Sequence, residues 1–235
     1  MTCEKIKIAI SSDYKLFLCY NRNGDNMKTI KATSVNEIVI NKSIFITTLF
    51  RVNSIDEVNN YLQITRKKYY DATHNCYAYI LGQKSEIQKA SDDGEPQKTA
   101  GMPMLDVLKK RQMTNILAIT TRYFGGILLG AGGLIRAYSS SVSEALNKMD
   151  IYEYLDYEKL CVNVSYPTYN IIEGHLKKYT IFNTEYSDCV KVYVGIEPSQ
   201  VIKFKEEITN LTNGRLEISS LGIQTEEILV EHNES

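Results

Sequence analysis

The chain has 235 residues, of which 43% are hydrophobic and 23% charged, and its formal net charge at pH 7 is −1. This composition is typical of globular proteins, and the length allows two modest domains that each bury a core. The four prolines and 13 glycines exclude long disordered linkers, and no run of about 20 uninterrupted apolar residues suggests a membrane-spanning helix.

The N-terminal segment and the cysteines predict a reduced, cytoplasmic protein. Ser11, Ser12 and Asp13 interrupt the apolar residues near the N-terminus, and no small-residue cleavage site follows, which argues against a signal peptide. The five cysteines are scattered and form no Cys-x-x-Cys pair. We therefore expect no structural disulfide, no disulfide-linked partner, no metal site and no membrane contact.

The two parts of the chain carry opposite charge balances. Residues 1–150 hold 20 Lys and Arg against 14 Asp and Glu, a balance of +6, whereas residues 151–235 hold 7 against 14, a balance of −7. This asymmetry predicts a domain boundary near 150. A polar, turn-rich break at 21–26 predicts that residues 1–26 are an extension and that the first domain covers 27–150.

Hydrophobic periodicity predicts alternating strands and helices in the first domain. Ser54 stands three residues before Glu57, which is the spacing of a helix capping box. In chain order we predict strands within 29–40 and 43–50, a helix at 54–70, a strand at 75–81, a polar segment at 85–97, a helix at 99–112, a strand at 115–124, a glycine-rich turn at 125–133 and a helix at 134–149.

The second domain shows a different order of elements. We predict a strand at 157–166, a helix at 167–179, two strands within 183–196, a helix at 198–211 and a final strand or two within 216–230. This β-α-β-β-α-β order is the ferredoxin-like plan. The second domain is therefore expected to span residues 151–235.

A His and a Cys lie two residues apart in the predicted strand at 75–81. His74 and Cys76 would share one face of a strand. A Cys–His nucleophile needs the imidazole to take the thiol proton, and neighbours along one strand seldom provide that geometry. We interpret Cys76 as a structural, half-buried thiol.

An acidic motif occupies the polar segment before the second helix. Asp92, Asp93 and Glu95 could ligate a divalent cation or act in acid–base chemistry, although the further ligands of an EF-hand are missing. Alternatively, these side chains cap backbone N–H groups or pair with Arg122 and Arg136. We favour the second interpretation and expect no bound metal.

The glycine-rich turn is the strongest candidate for a binding site. Free N–H groups and the dipole at the following helix start would attract an anion such as phosphate. The flanking Arg122 and Arg136 favour an anion- or partner-binding site, whereas the alternative is that the glycines only allow close packing. The spacing matches neither a Walker loop nor a dinucleotide fingerprint. Five of the 13 glycines fall within nine residues, namely Gly125, Gly126, Gly130, Gly132 and Gly133.

Two basic clusters could extend this site. They lie at 66–68 and 109–111, at the predicted C-terminal ends of two helices, where cations suit the helix dipole. Solvated helix ends are the simplest interpretation. Together with Arg122 and Arg136 they would instead form a basic face for RNA phosphates.

Several separated motifs, taken in order, resemble the YigZ/IMPACT family. They are KSIF at 42–45, DATHNCYA at 71–78, SDDGEP at 91–96, TAG at 99–101, PML at 103–105, RYFGG at 122–126 and LGAGGL at 129–134. The resemblance covers about 28–150, and 157–230 resembles the ferredoxin-like C-terminal domain of bacterial members. Family members usually have Gly where Lys98 stands, which predicts either a relaxed loop or a position that tolerates side chains.

The resemblance implies an α+β protein in which a ribosomal-protein-S5-domain-2-like α/β domain is followed by a ferredoxin-like βαββαβ domain. It also implies a role in regulating translation, with RNA, the ribosome or a translation factor as the partner, and neither a cofactor nor a settled enzyme activity. The alternative function is an enzyme that handles a phosphate-bearing substrate, with or without a metal. The crowding of acids, arginines and glycines into 91–136 favours that alternative, whereas the lack of a nucleophile–base pair favours binding.

Overall fold

The computed structural model describes residues 26–231, so the predicted N-terminal extension lies outside the described residues apart from Asn26. The strands of the described chain are Lys28–Thr29 (β1), Ser34–Ile40 (β2), Ser43–Arg51 (β3), His74–Leu81 (β4), Ile87–Ser91 (β5), Ile116–Tyr123 (β6), Ile151–Val164 (β7), Thr180–Tyr186 (β8), Val190–Ile196 (β9) and Glu217–Glu231 (β10). Its α-helices are Ile55–Lys68 (α1), Gly101–Lys110 (α2), Gly130–Asn147 (α3), Tyr166–Leu176 (α4) and Val201–Thr212 (α5).

The described chain divides into two compact units. The first unit contains residues 26–155 together with 225–231, and the second contains 156–224. Both changes of unit fall inside a strand, in β7 and in β10. The proposed limit of the first domain at 150 stays a prediction.

The sheet of the first unit is antiparallel throughout. Its strands lie in the order β2-β3-β6-β4-β5. Strands β2 and β3 form a hairpin in which Ile40 pairs with Ser43. The two residues of its turn, Asn41 and Lys42, both have positive φ (45° and 64°), as a type I′ turn requires.

Alternating strand residues build a core on each face of this sheet. On one face, Phe45, Ala78 and Ala118 are buried together with residues of α2 and α3, including Met104 and Tyr138. On the other face lies a smaller core beneath α1. It comprises Val52, Val58, Leu62, Tyr79, Leu81, Leu117 and Ile119.

Helix α1 begins where the capping box predicts it. Ser54 is the N-cap, and its Oγ accepts a hydrogen bond from the Glu57 backbone N–H at 3.2 Å. The Glu57 carboxylate in turn accepts from the Asn53 backbone N–H at 2.8 Å, one residue earlier than a regular capping box places it.

The second unit has the predicted β-α-β-β-α-β order, and the α+β fold class is confirmed. Its elements follow as β7, α4, β8, β9, α5 and β10, and the strands lie in the order β10-β7-β9-β8. Apolar residues of β7 and β9 alternate toward α4 and α5 and form one core with Ile172, Phe204 and Ile208. Helix α5 ends at Asn213 and Gly214, both with positive φ, as the Asn-Gly pair predicts.

Two elements of the first unit differ from the sequence prediction. Helix α3 starts at Gly130, four residues before the predicted Leu134. Three glycines give its first turn a low helix propensity, so the sequence did not predict this turn as helical. Strand β5 lies within the predicted polar segment, where exposed Gln88 and Lys89 hide the alternation of a strand. No described helix is long and apolar enough to cross a membrane.

Candidate functional site

A cleft of about 370 Å³ lies in the first unit beside the first turn of α3. Three separated parts of the sequence line it: the start of β4, the acidic motif after β5, and the stretch from the end of β6 into α3. The fold therefore brings together the motifs that the sequence analysis selected. The lining residues include His74, Glu95, Arg122, Phe124, Leu128 and Gly130.

Asp92 holds the start of α2 through backbone hydrogen bonds. Its Oδ1 accepts from the N–H groups of Ala100 (3.0 Å) and Gly101 (2.8 Å), and its Oδ2 accepts from the N–H of Lys98 (2.8 Å). Ala100 at the N-cap position has no side chain that could cap the helix. Asp92 supplies the missing acceptor from a distance, which matches the capping alternative.

Asp93 ties β4 to the acidic loop. Its Oδ2 accepts from the Asn75 N–H at 2.7 Å, its Oδ1 accepts from the Arg66 guanidinium at 3.0 Å, and its carbonyl accepts from His74 Nδ1 at 2.9 Å. Both Asp92 and Asp93 are therefore occupied by protein groups. Within residues 26–231 no group of three or more His, Cys, Asp or Glu side chains could hold a metal ion.

Glu95 and Arg122 form a buried ion pair on the floor of the cleft. Glu95 Oε1 accepts from Arg122 Nη1 at 2.6 Å and from the Tyr138 hydroxyl at 2.8 Å. The two charged side chains are only 3% and 6% exposed. Arg122 Nη2 reaches Ser43 Oγ at 3.4 Å, whereas the buried Nε has no hydrogen-bond partner among the described residues.

This location changes the role of Arg122. From the sequence, Arg122 is expected to flank the glycine-rich turn and to bind an anion or a partner there. In the structure, β6 runs through the centre of the sheet and turns Arg122 toward the core. Its guanidinium lies 5.4 Å from the Phe45 ring centre and 5.6 Å from that of Phe124. Arg122 lines the cleft, and its guanidinium forms an ion pair with the Glu95 carboxylate.

Cys76 belongs to the same buried network and is a thiol. Its Sγ donates to the Asp92 carbonyl at 2.9 Å and contacts the Tyr138 hydroxyl at 3.3 Å. Burial, together with the nearby charges of Glu95 and Asp93, raises the pKa of Cys76 to about 12, although the hydrogen bond with Tyr138 acts in the opposite direction. Burial likewise raises the pKa of Tyr138. Cys76 is therefore no nucleophile at neutral pH.

His74 presents one ring nitrogen to the cleft. Because the Asp93 carbonyl only accepts, Nδ1 must carry the proton of their 2.9 Å hydrogen bond. Nε2 then faces Glu95 Oε2 at 3.9 Å, which is too long for a hydrogen bond. The His74 side chain is 21% exposed, so the cleft reaches it.

The structure requires glycine at different positions of the turn for different reasons. At Gly125 an added Cβ would lie 2.0 Å from the backbone carbon of Lys42, so only glycine allows this approach of two chain segments. Gly130 has a φ of +67° and open space around it, and Gly126 likewise has a positive φ of +82°. Gly132 and Gly133 lie in the first turn of α3.

The start of α3 is open to an anion. Leu129 at the N-cap position offers no capping side chain, and the first turn contains no acidic residue. The first four N–H groups of a helix have no partner within it, and the helix dipole places positive charge there. Gly130 and Gly132 are exposed, so no side chain of theirs covers these groups.

Arg136 lies one turn further along α3 and points back toward its start. Its Nη1 is 3.7 Å from the position that a Cβ of residue 132 would occupy, and its side chain is exposed. The expected pairing of the acidic motif with both arginines is therefore wrong in part. Glu95 pairs with Arg122 and Asp93 with Arg66, while no described carboxylate pairs with Arg136.

Lys98 adopts the left-handed conformation that its position requires. Its φ is +63°, and its N–H donates to Asp92 Oδ2. Of the two expectations for this position, tolerance of a side chain describes the loop, because the backbone has not relaxed out of the left-handed region.

Sequence reasoning missed two members of the network. Tyr138 falls within the predicted helix at 134–149 and Ser43 within the KSIF motif at 42–45, and neither is predicted as a site residue. A fully buried tyrosine needs a partner for its hydroxyl, which was the available clue. Nothing in the sequence indicated that β3 would bring Ser43 to Arg122.

Two family models match this two-domain α+β chain, one in each part of the sequence. The Impact N-terminal domain model matches residues 41–146, and a domain of unknown function (DUF1949) matches residues 162–215. The chain belongs to the IMPACT family, and the resemblance given by its motifs is confirmed.

Relatives and a solved structure match over most of the chain. The IMPACT family member YvyE of Bacillus subtilis is 44% identical over 81% of this chain and 88% of that protein. The IMPACT family member YigZ of Escherichia coli is 32% identical over 77% of this chain and 91% of that protein. A crystal structure of a hypothetical protein superposes with a TM-score of 0.52 at 28% identity, covering 89% of this chain and 99% of that one.

Proposed function

We propose that this protein regulates translation by binding RNA, the ribosome or a translation factor through the cleft and the start of α3. Membership of the IMPACT family supports the link to translation, because the resemblance of its motifs implies that role. The single observation that carries the choice of surface is the uncapped, glycine-lined start of α3 beside exposed Arg136.

This surface favours a partner that carries phosphate. Helix N–H groups and the helix dipole stabilise an anion, and an exposed guanidinium adds a charge-assisted hydrogen bond. The balance of +6 over residues 1–150 agrees with such a partner. RNA, free or within the ribosome, is therefore favoured over an isolated protein factor.

Apolar side chains around the same loop support a contact surface. Leu128 is 86% exposed, and Phe124 and Ile127 are 46% and 43% exposed. Large apolar groups that are exposed side by side mark interaction sites. An aromatic ring such as Phe124 can also stack on an unpaired base.

The alternative enzyme has less support. It would use Asp92, Asp93 and Glu95 as metal ligands or acid–base groups, yet backbone N–H groups and Arg66 already occupy the carboxylate oxygens of Asp92 and Asp93. Glu95 is paired with Arg122 through Oε1. Binding therefore accounts for the site with fewer changes to the observed contacts.

Removing the exposed arginine tests the proposal. Arg136→Ala should weaken binding of single-stranded RNA or ribosomal subunits about tenfold or more, since a well-formed arginine–phosphate contact contributes about 1.5–3 kcal/mol. Arg215→Ala is the matched control, because Arg215 is also exposed but lies in the second unit. Equal affinities of the two variants would overturn this choice of surface.

A further inference from the structure

The cleft contains two polar atoms that have no hydrogen-bond partner among the described residues. His74 Nε2 and Glu95 Oε2 are 3.9 Å apart, and neither forms a hydrogen bond within the described residues. Glu95 uses Oε1 for both Arg122 and Tyr138, so its second oxygen is available. In the neutral ring, with the proton on Nδ1, Nε2 is an acceptor. A ligand with a hydroxyl group could donate to either atom.

The same cleft offers donors for an anion. The first turn of α3 provides backbone N–H groups at Gly130 and Ala131, both of which line the cleft. A second and independent feature is Arg122, which lines the cleft with a side chain that is 6% exposed and whose buried Nε has no hydrogen-bond partner among the described residues. Nearly all buried polar groups are hydrogen-bonded, so an unpartnered one calls for a partner from outside the chain, such as a water, an ion or a ligand.

The remaining wall of the cleft is apolar. Phe124, Leu128 and Pro96 line it. A volume of about 370 Å³ is at the lower end of small-molecule sites, so it suits one compact group. A phosphate, a hydroxyl donor and a ring that packs on apolar side chains occur together in a nucleotide.

We infer that the cleft recognises a ribonucleotide, with phosphate at the start of α3, sugar hydroxyl at His74 and Glu95, and base against Phe124 and Leu128. This rests on the proposed function and deepens it, because the hydroxyl acceptors would make the site prefer RNA over DNA. The same chemistry occurs in a free mononucleotide and in a nucleotide of an RNA strand, and the experiment separates these two sources.

Calorimetric titration of the full chain with sugar analogues tests the inference. A ribonucleoside 5′-monophosphate should bind at least tenfold more tightly than its 2′,3′-dideoxy analogue and than inorganic phosphate. Equal affinities of the ribose and dideoxy forms would overturn the inference. Tighter binding of a short single-stranded RNA than of the mononucleotide identifies RNA as the source, and the reverse order identifies the free nucleotide.

His74→Asn tests the assignment of the acceptor. An asparagine amide can keep the donor that Nδ1 supplies to the Asp93 carbonyl, but it removes Nε2. The variant should lose the preference for ribose while its affinity for inorganic phosphate stays unchanged. A retained ribose preference would overturn the role of His74.

The two proposals can fail separately. If RNA binds in a manner that depends on Arg136 but ribose and dideoxy forms bind equally, the ribonucleotide inference fails and the proposed function stands. If the ribonucleotide binds with the expected preference but neither RNA nor ribosomal subunits bind, the proposed function fails instead.

Discussion

At the residue scale, the Glu95–Arg122 pair is a buried ion pair whose two charges both have to be desolvated when the first unit folds. Both side chains are almost fully buried, so each charge depends on the other for its solvation. A buried charge without its partner is costly, whereas two buried partners roughly offset their own desolvation. Stability and binding therefore have to be measured on the same Arg122 variant.

Arg122→Ala should lower the free energy of unfolding by about 3–5 kcal/mol, because it leaves the Glu95 carboxylate buried without its counter-charge. Urea unfolding measures this loss. The double variant Arg122→Ala with Glu95→Ala is the control, and it should cost less than the sum of the two single changes. A loss below about 1 kcal/mol in the single variant would contradict the buried ion pair.

Lys98 offers a stabilising change. The left-handed conformation costs a side-chain-bearing residue about 1–2 kcal/mol, and glycine avoids most of that cost. Lys98→Gly should therefore raise the free energy of unfolding by about 1 kcal/mol, while Lys98→Ala, which keeps a Cβ, should leave it nearly unchanged. An equal effect of both changes would indicate that the lysine charge beside Asp92 matters more than the backbone.

Cys76 makes stability depend on alkaline pH. Its pKa rises from 9.0 to about 12 on folding, so the thiol's contribution to stability is complete below pH 9 and is lost as the pH rises toward 12. Between those values the free energy of unfolding should fall more steeply for the natural chain than for Cys76→Ala. Parallel slopes for the two proteins would place Cys76 in a solvated environment.

At the element scale, the sequence predicts helix α3 but not its first turn. Its apolar stripe at Tyr138 and Val142 predicted the helix correctly, because periodicity survives in the buried half. The four residues before Leu134 were assigned to a turn, since glycines carry no periodicity. The partners of the acidic motif were equally hidden, because Asn75 and Arg66 reach it only through tertiary contacts.

Two glycine substitutions test this account of the turn. Gly125→Ala should destabilise the first unit, because its Cβ would overlap the Lys42–Ser43 backbone, which cannot move without opening the hairpin. Gly132→Ala meets only open space and Arg136 Nη1, so it should stabilise by about 0.5–1 kcal/mol as an ordinary helix substitution. Thermal unfolding of both variants measures the contrast. Equal shifts in melting temperature would contradict it.

At the scale of the whole molecule, the end of β10 belongs to the first unit. Glu227 pairs with Arg51 at 2.7 Å and with Lys31 at 3.6 Å, and Val230 packs against the larger core. The predicted second domain of residues 151–235 thus includes a segment that belongs to the first unit, which charge balance alone does not reveal.

Ending the chain at residue 224 should destabilise the first unit, because it removes the carboxylate partner of Arg51 and an apolar contact of the core. Urea unfolding should show a lower midpoint for that unit. Glu227→Gln, which keeps the strand but removes the charge, should cost less. An unchanged midpoint after truncation would indicate that residues 225–231 contribute no stability.

The central claim is that the start of α3 binds a phosphate-bearing partner, and a single charge placed there tests it most directly. Gly132→Asp adds a carboxylate to the exposed first turn, and Gly132→Asn adds the same shape without charge. The measurement is the affinity of both variants for single-stranded RNA at one fixed salt concentration, together with their free energies of unfolding. We predict that the Asp variant binds RNA at least tenfold more weakly than the Asn variant. Because the Asp carboxylate interacts favourably with the helix dipole, the Asp variant should also have the higher free energy of unfolding, so affinity falls while stability rises. Equal RNA affinities of the Asp and Asn variants would contradict the account.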